Sequence, residues 1–134
     1  MSYRGGAALQ EALYQHLQAD PDLGALGVAI HDAPPPGTPR GTYVVLGPED
    51  VIDRSDASGP GAEHRFSVTV VSNTTGFATA KRVAGCVSAA LDDPTLALSA
   101  GRLVGIWFQQ AQARRIEGGK GRRIELRFRA RIEG

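Results

Sequence analysis

Residues 103–133 read LVGIWFQQAQARRIEGGKGRRIELRFRARIE, and this stretch decides the fold. Over residues 122–133 apolar and charged side chains alternate, which is the pattern of a β-strand with one buried face. The glycine-rich segment 118–121 turns the chain back onto residues 103–115. The sequence therefore predicts a long C-terminal β-hairpin.

The second strand of this hairpin has two chemically different faces. The apolar face is predicted to be buried, and four arginines dominate the other. That arginine row is typical of a solvated or subunit-contacting sheet face, on which opposite charges of neighbouring strands pair. It is also compatible with contact to nucleic-acid phosphates. The apolar face carries Ile124, Leu126, Phe128, Ala130 and Ile132, and the other carries Arg123, Glu125, Arg127, Arg129 and Arg131.

The N-terminal half predicts one helix and several short elements. Leucines every fourth residue indicate an amphipathic helix over residues 6–19, which Asp20-Pro21 ends. Asp20 is then expected to cap a single turn, before a short strand over 28–31 and a proline-rich loop over 33–41. A β-branched run predicts a strand over 42–46, ended by Gly47-Pro48. Residues 51–58 fit either an exposed strand or a loop.

A second helix follows a turn at 58–62 and an alternating strand over 63–72. Residues 72–75 offer N-cap side chains, and the helix is predicted to run to Leu91. Its buried face is expected to carry Phe77 and aliphatic residues. The opposite side holds small residues, so a partner subunit could approach it closely. The candidates for this contact are Ala78, Gly85 and Ala89.

The order helix, strands, helix, strands with hairpin-type connections predicts an α+β fold. Two main helices are expected on one face of a mostly antiparallel sheet. With 134 residues, 42% of them apolar, no internal repeat and no linker, the chain is expected to form one domain over residues 1–134. A lone Cys86 excludes an internal disulfide. Without a long apolar run or an export signal, no membrane association is expected.

The near-neutral net charge of +1 conceals an asymmetry. Residues 102–134 carry nine basic and three acidic side chains, a balance of +6. Residues 1–101 carry six basic and 11 acidic ones, a balance of −5. Complementary charges within one chain favour self-association over a purely polyanionic partner.

We find no pattern of catalytic or cofactor-binding residues in the sequence. His16, His31 and His64 lack metal-ligand spacing, and Cys86 has small apolar neighbours typical of packing. The acidic pairs beside proline are explained by helix capping and turns. No glycine segment matches a phosphate-binding fingerprint. We therefore expect no catalytic residue, no metal, no cofactor and no enzymatic activity.

The order of the segments resembles the tail-completion family of siphophages and gene transfer agents, and is most similar to the tail terminators of alphaproteobacterial gene transfer agents. The similarity extends from about Leu9 to Glu133 and rests on the combination of blocks. These are DPDLGAL, DAPPPGTP, YVVLG, GAEHRFSVTVVS, AKRVAGCVSAALDD, LALSAGRLVGIWF and RRIELRFRARIEG.

The resemblance implies a structural protein with a tail-terminator-like fold. Such proteins form a homo-oligomeric ring, a hexamer, on the last ring of the tail tube and end tube polymerisation. The ring joins the tail to a head-side stopper or connector protein, and DNA makes transient, non-specific contacts as it passes through the channel. The implied location is the neck-proximal end of the tail of a virion or gene transfer agent particle, assembled in the bacterial cytoplasm. The arginine row, Arg123, Arg127, Arg129 and Arg131, and the small helix face would then contribute to subunit contacts or the channel wall.

Two other functions stay open from the residues alone. One is a head–tail adaptor or connector protein of the same particle, although such adaptors are usually more helical. The other is a small nucleic-acid-binding protein that uses its basic face.

Overall fold

In the computed structural model, residues 3, 5–35, 41–57, 59–74 and 76–134 are described. They form one mixed sheet with helices packed on one face, which confirms the predicted α+β class. The helices are α1 (Gly5–Gln18), α2 (Pro21–Ala25) and α3 (Ala78–Ala90); the strands are β1 (Ala29–His31), β2 (Thr42–Asp53), β3 (Gly61–Ser72), β4 (Arg102–Ile116) and β5 (Gly121–Glu133), with a 3-10 turn over Glu117–Gly119.

The sheet has the strand order β1-β2-β3-β5-β4. All neighbours pair antiparallel except β1 and β2, which pair parallel. The C-terminal hairpin is therefore not an appendage. Its second strand lies inside the sheet, between β3 and the edge strand β4.

A single core joins the helices to one face of the sheet. It contains buried side chains from all three helices and all five strands. Leu9, Leu13 and Leu17 supply the α1 stripe, and alternate residues of β5 supply the sheet side. The predicted periodicities of 3.6 and 2 residues are therefore both confirmed at the core.

The single helical turn after α1 forms for the predicted reason. Asp20 has extended backbone angles and its side chain accepts a hydrogen bond from the Leu23 amide at 3.0 Å. Pro21 occupies the first position of the turn, where a missing amide hydrogen costs nothing.

Strand β2 corrects the prediction that Gly47-Pro48 ends it. The strand continues to Asp53, and the register shifts between Leu46 and Glu49. Proline has no amide hydrogen to give to a ladder, but a bulge tolerates it. A side chain at Gly47 would lie 3.2 Å from the Ser67 carbonyl oxygen, so this close approach suits glycine. The two alternatives for residues 51–58 each hold for part of the segment. Residues 51–53 are strand, and residues 54–57 lie outside the named strands.

Helix α3 begins later than predicted. Its N-cap position is Phe77, without a side-chain cap hydrogen bond. Ser72 still belongs to β3, where its hydroxyl accepts from Thr42 Oγ1 at 3.0 Å, and Thr74 donates to the Gly76 carbonyl at 3.1 Å. The predicted capping hydroxyls of Ser72 and Thr74 are therefore engaged elsewhere. Another candidate cap, Thr75, and the parts of the predicted loop and turn at 36–40 and 58 lie outside the described residues.

Candidate subunit and nucleic-acid interfaces

The arginine row lies on the sheet face opposite the helices, which we call the open face. Along β5 the even-numbered residues from Ile124 to Ile132 are buried, and the arginines between them are at least partly exposed. The predicted alternation is confirmed. A role of these arginines in subunit contacts remains a prediction.

Most of the row is neutralised inside the subunit by carboxylates on the same face. Glu63 of β3 accepts from Arg65 Nε at 2.7 Å and lies 3.7 Å from Arg129. The hydrogen bond from Arg65, more than any other interaction, holds the pKa of Glu63 below its ordinary value. Glu125 plays the same part for Arg127, at 2.8 Å. The row is thus part of an ion-pair ladder across two strands.

Arg131 is the most enclosed arginine of the row. It lies 3.3 Å from Glu133 and 3.5 Å from Asp56, and donates to the Arg54 carbonyl at 3.1 Å. Three acceptors for one guanidinium fix its position. Arg131 therefore ties β5 to the connection between β2 and β3.

The edge strand β4 exposes apolar side chains that the sequence analysis did not single out. Trp107 is 40% exposed and carries the Arg129 guanidinium 4.3 Å above its ring. Phe108 is 52% exposed, and Val104 is also exposed. Residues 103–113 contain no charged side chain and no proline, the usual protections of an edge strand. The absence of such protection was readable from the sequence.

The hairpin tip brings like charges together. Arg114 lies directly opposite Arg123, and Arg115 directly opposite Arg122. Arg122 is buried, donates to the carbonyl oxygens of Gly119 and Gly121 at 2.9 Å, and places its guanidinium 4.9 Å from the Phe77 ring centre.

The small residues of α3 lie on the outer surface of the helix layer. Ala78, Gly85 and Ala89 are all exposed. A side chain added at Gly85 would meet nothing within 4 Å in the subunit. The structure does not bring these residues to the arginine row, because the sheet and the helix layer separate the two sets. They are two distinct surfaces of one subunit.

The histidines and the cysteine do not form a reactive site. His16 is hydrogen-bonded through Nε2 to the Ala90 carbonyl at 2.7 Å, and His31 packs against the Tyr43 ring. Burial raises the pKa of the Cys86 thiol above its ordinary value, which disfavours the nucleophilic thiolate. Among the described residues, no group of three or more histidine, cysteine or acidic side chains is placed to hold a metal ion.

His64 differs from the other two histidines in its burial. It is fully buried, and its Nδ1 lies 3.7 Å from Glu49 Oε2, beyond hydrogen-bond distance. Glu49 instead accepts a hydrogen bond from the Tyr3 hydroxyl. The partly exposed Glu49 thus links Tyr3 of the N-terminal segment to β2, next to the buried His64 of β3.

One depression lies on the open face, with a volume of about 520 Å³. Asp50, Arg65, Gln110, Glu125 and Arg127 are among its lining residues. Arg65, Glu125 and Arg127 belong to the ion-pair ladder, so the depression is a largely polar groove between strands. In the part of the chain described, no helix is long and apolar enough to cross a membrane.

Two comparisons with known proteins gave matches. The sequence profile of the family described as "Tail completion protein gp17" matches residues 11–133. A chain from a solved structure, titled "Virion of native gene transfer agent (GTA) particle", is 57% identical, with a TM-score of 0.91. The match covers 99% of this chain and 100% of that chain. No curated protein matches the sequence.

Proposed function

This chain belongs to the family of the tail completion protein gp17, and from that membership we propose that it forms the ring that ends the tail tube of a gene transfer agent particle. The ring, a hexamer, joins the tail tube protein to a head-side stopper or connector, and DNA passes through it. Its role is structural, without catalysis or cofactor. It resides at the neck-proximal end of the tail, after assembly in the bacterial cytoplasm. The 57%-identical chain in a native gene transfer agent virion carries this proposal.

The surfaces of the subunit support a ring. A closed ring of identical subunits needs two different patches on each copy, one for each neighbour. The open face with its arginine row and the small outer surface of α3 are two such patches. The exposed apolar side chains of the edge strand β4 add further surface that is suited to protein contact, because Val104, Trp107 and Phe108 leave apolar area in water.

Charge reversal in the arginine row tests the ring. Arg127→Glu with Arg129→Glu would place new carboxylates beside Glu125 and Glu63, which now pair with those arginines. We expect loss of the oligomer by native mass spectrometry, or loss of joined tails by electron microscopy of particles. A matched control, Arg54→Glu with Arg102→Glu, makes the same charge change at other exposed arginines and is expected to retain both.

Particles made without the protein give the decisive readout. Tails of uncontrolled length, or tails detached from heads, are expected in electron micrographs. Normal, joined tails of uniform length would contradict the proposal. Detached heads and tails with a normal length distribution would instead favour an adaptor at the head.

A further inference from the structure

We propose that the tip of the β4–β5 hairpin binds the phosphate backbone of duplex DNA. The site is a cluster of five basic residues, which we call the tip cluster. This proposal rests on the proposed function, because the duplex is the DNA that would pass through the ring. The tip cluster consists of Arg114, Arg115, Lys120, Arg122 and Arg123.

The register of the hairpin places like charges side by side. Arg114 is the cross-strand partner of Arg123, and Arg115 that of Arg122. Directly opposite side chains in a ladder have Cβ atoms about 5 Å apart, and like charges there are destabilising. The two successive Arg–Arg pairs are therefore expected to destabilise the hairpin locally. Conflicts of this kind are expected at functional sites.

Among the described residues, no carboxylate lies within ion-pair distance of three members of the tip cluster, although Glu117 belongs to the same turn. Arg114 donates to the neutral amide of Gln112 at 2.7 Å. Neither Arg114, Arg115 nor Lys120 forms an ion pair with any acidic side chain that the structure describes. Arg123 lies 3.6 Å from Glu125, which makes its shorter contact, 2.8 Å, with Arg127. The positive charge of the hairpin thus remains at the tip, while the ladder cancels it farther along β5.

The buried Arg122 guanidinium lies at the base of the tip cluster. Arg122 is fixed by two backbone carbonyls and by the Phe77 ring. The ammonium of Lys81, from the first turn of α3, lies 5.5 Å from the centre of the same ring. Two cations on one aromatic ring extend the positive potential from the hairpin onto the helix side. The tip is therefore both positive and fixed in position.

The distribution of the cations favours a duplex over an acidic protein surface. Arg114 and Arg123 project on the open face, Arg115 belongs to the other face, and Lys120 lies at the turn. A DNA groove has phosphates on both walls, and the major groove admits a two-stranded β-ribbon. A flat acidic protein surface would meet only one side of the hairpin. Because the cluster contains no aromatic residue, it offers phosphate contacts without base stacking, so binding is expected to be independent of sequence.

A matched pair of double variants tests the site with a short random-sequence DNA duplex. The tip variant is Arg114→Gln with Arg115→Gln. The control is Arg65→Gln with Arg102→Gln, two exposed arginines that are paired with Glu63 and Glu133 at 2.7 Å. Both variants lose two positive charges. Fluorescence anisotropy is measured from about 50 to 200 mM salt, where phosphate contacts dominate the salt dependence.

For the tip variant we expect the slope of log affinity against log salt to fall by about 1.8, since each phosphate contact contributes about 0.9. Its affinity at low salt should fall at least about tenfold, and that of the control less than about threefold. Replacement of the same two tip arginines by lysine is expected to retain the slope, because lysine still neutralises a phosphate. Thermal melting establishes that each variant is folded.

Equal losses of duplex affinity in the tip and control variants would overturn the proposed site, because net charge alone would then explain binding. Poly-glutamate that binds the tip as tightly as the duplex would overturn it in favour of an acidic protein partner. Absence of duplex binding at low salt, with normal tails in particles of the tip variant, would refute this site and leave the proposed function intact. Duplex binding by a protein whose deletion leaves tails normal would refute the proposed function instead.

Discussion

Replacement of Phe128 by alanine is expected to remove the aromatic centre of the core. Phe128 is 2% exposed, stacks on Phe66 with ring centres 5.5 Å apart, and contacts the Phe108 ring edge-on at 5.8 Å. The substitution leaves a cavity between β3, β4 and β5. Phenylalanine-to-alanine changes at such positions cost about 3–5 kcal/mol in the free energy of unfolding.

The size of the chain converts that cost into a melting temperature. Unfolding entropy is about 2.1 cal/mol/K per residue near 60 °C, which gives about 0.28 kcal/mol/K for this chain. The expected decrease in Tm is therefore about 11–18 °C. Circular dichroism or scanning calorimetry measures it. One transition is expected for both proteins, because a single core unites the proposed single domain over residues 1–134.

Phe108→Ala is the matched control for this prediction. Phe108 is 52% exposed, so it loses only about half of the burial free energy of a core phenylalanine, about 1 kcal/mol, or about 4 °C in Tm. The refuting result is a Phe108→Ala loss as large as that of Phe128→Ala. Two separate melting transitions in the unmodified chain would contradict the single domain.

Two further predictions concern single hydrogen bonds. The pKa of Glu63 is lowered, chiefly by its hydrogen bond from Arg65, so its contribution to stability is present above the ordinary value of 4.5 and is lost as pH falls through the lower folded value. Glu63→Gln should therefore lower the Tm at neutral pH and weaken the loss of Tm in acid; an unchanged acid profile would contradict this. Asp20→Ala removes the cap on the Leu23 amide and should cost about 1 kcal/mol, about 4 °C in Tm, whereas Asp20→Asn, which keeps the acceptor, should cost much less.

The parts of the fold that depend on local periodicity could be predicted from the sequence. Alternation over residues 122–133 and leucines every fourth residue in α1 each identify one buried face without knowledge of the neighbours. The cap at Asp20 was predictable for the same reason, because donor and acceptor are three residues apart.

The missed features depend on a neighbouring strand. The continuation of β2 past Pro48 needs a bulge against β3, and a bulge is visible only when both strands are placed. The later start of α3 has this cause only in part: the Ser72 hydroxyl is engaged by Thr42 of β2, which is distant in sequence, whereas the Thr74 hydroxyl donates to the nearby Gly76 carbonyl.

For the candidate surfaces, too, features of one strand could be predicted and contacts between strands could not. The arginines of β5 could be assigned to one face from their spacing. Their neutralisation could not be predicted, because Glu63 lies on β3 and only the strand order brings it beside Arg129. The tip cluster did have a signal in the sequence. The pairs at 114–115 and 122–123 are placed symmetrically about the turn, and the hairpin register turns this symmetry into like-charge pairs.

These contacts change what the charge asymmetry of the chain can do. Glu63 and Asp56, from the acidic part, pair with Arg129 and Arg131, from the basic part, within one subunit. Charges that are paired internally contribute little attraction to a neighbour, and exposed ion pairs are weak and screened by salt. The opposite net charges of residues 1–101 and 102–134 are therefore partly neutralised by ion pairs within the folded subunit. For the proposed ring we therefore expect a larger share of apolar contacts, for which the exposed side chains of β4 are candidates, while positive charge stays concentrated at the hairpin tip.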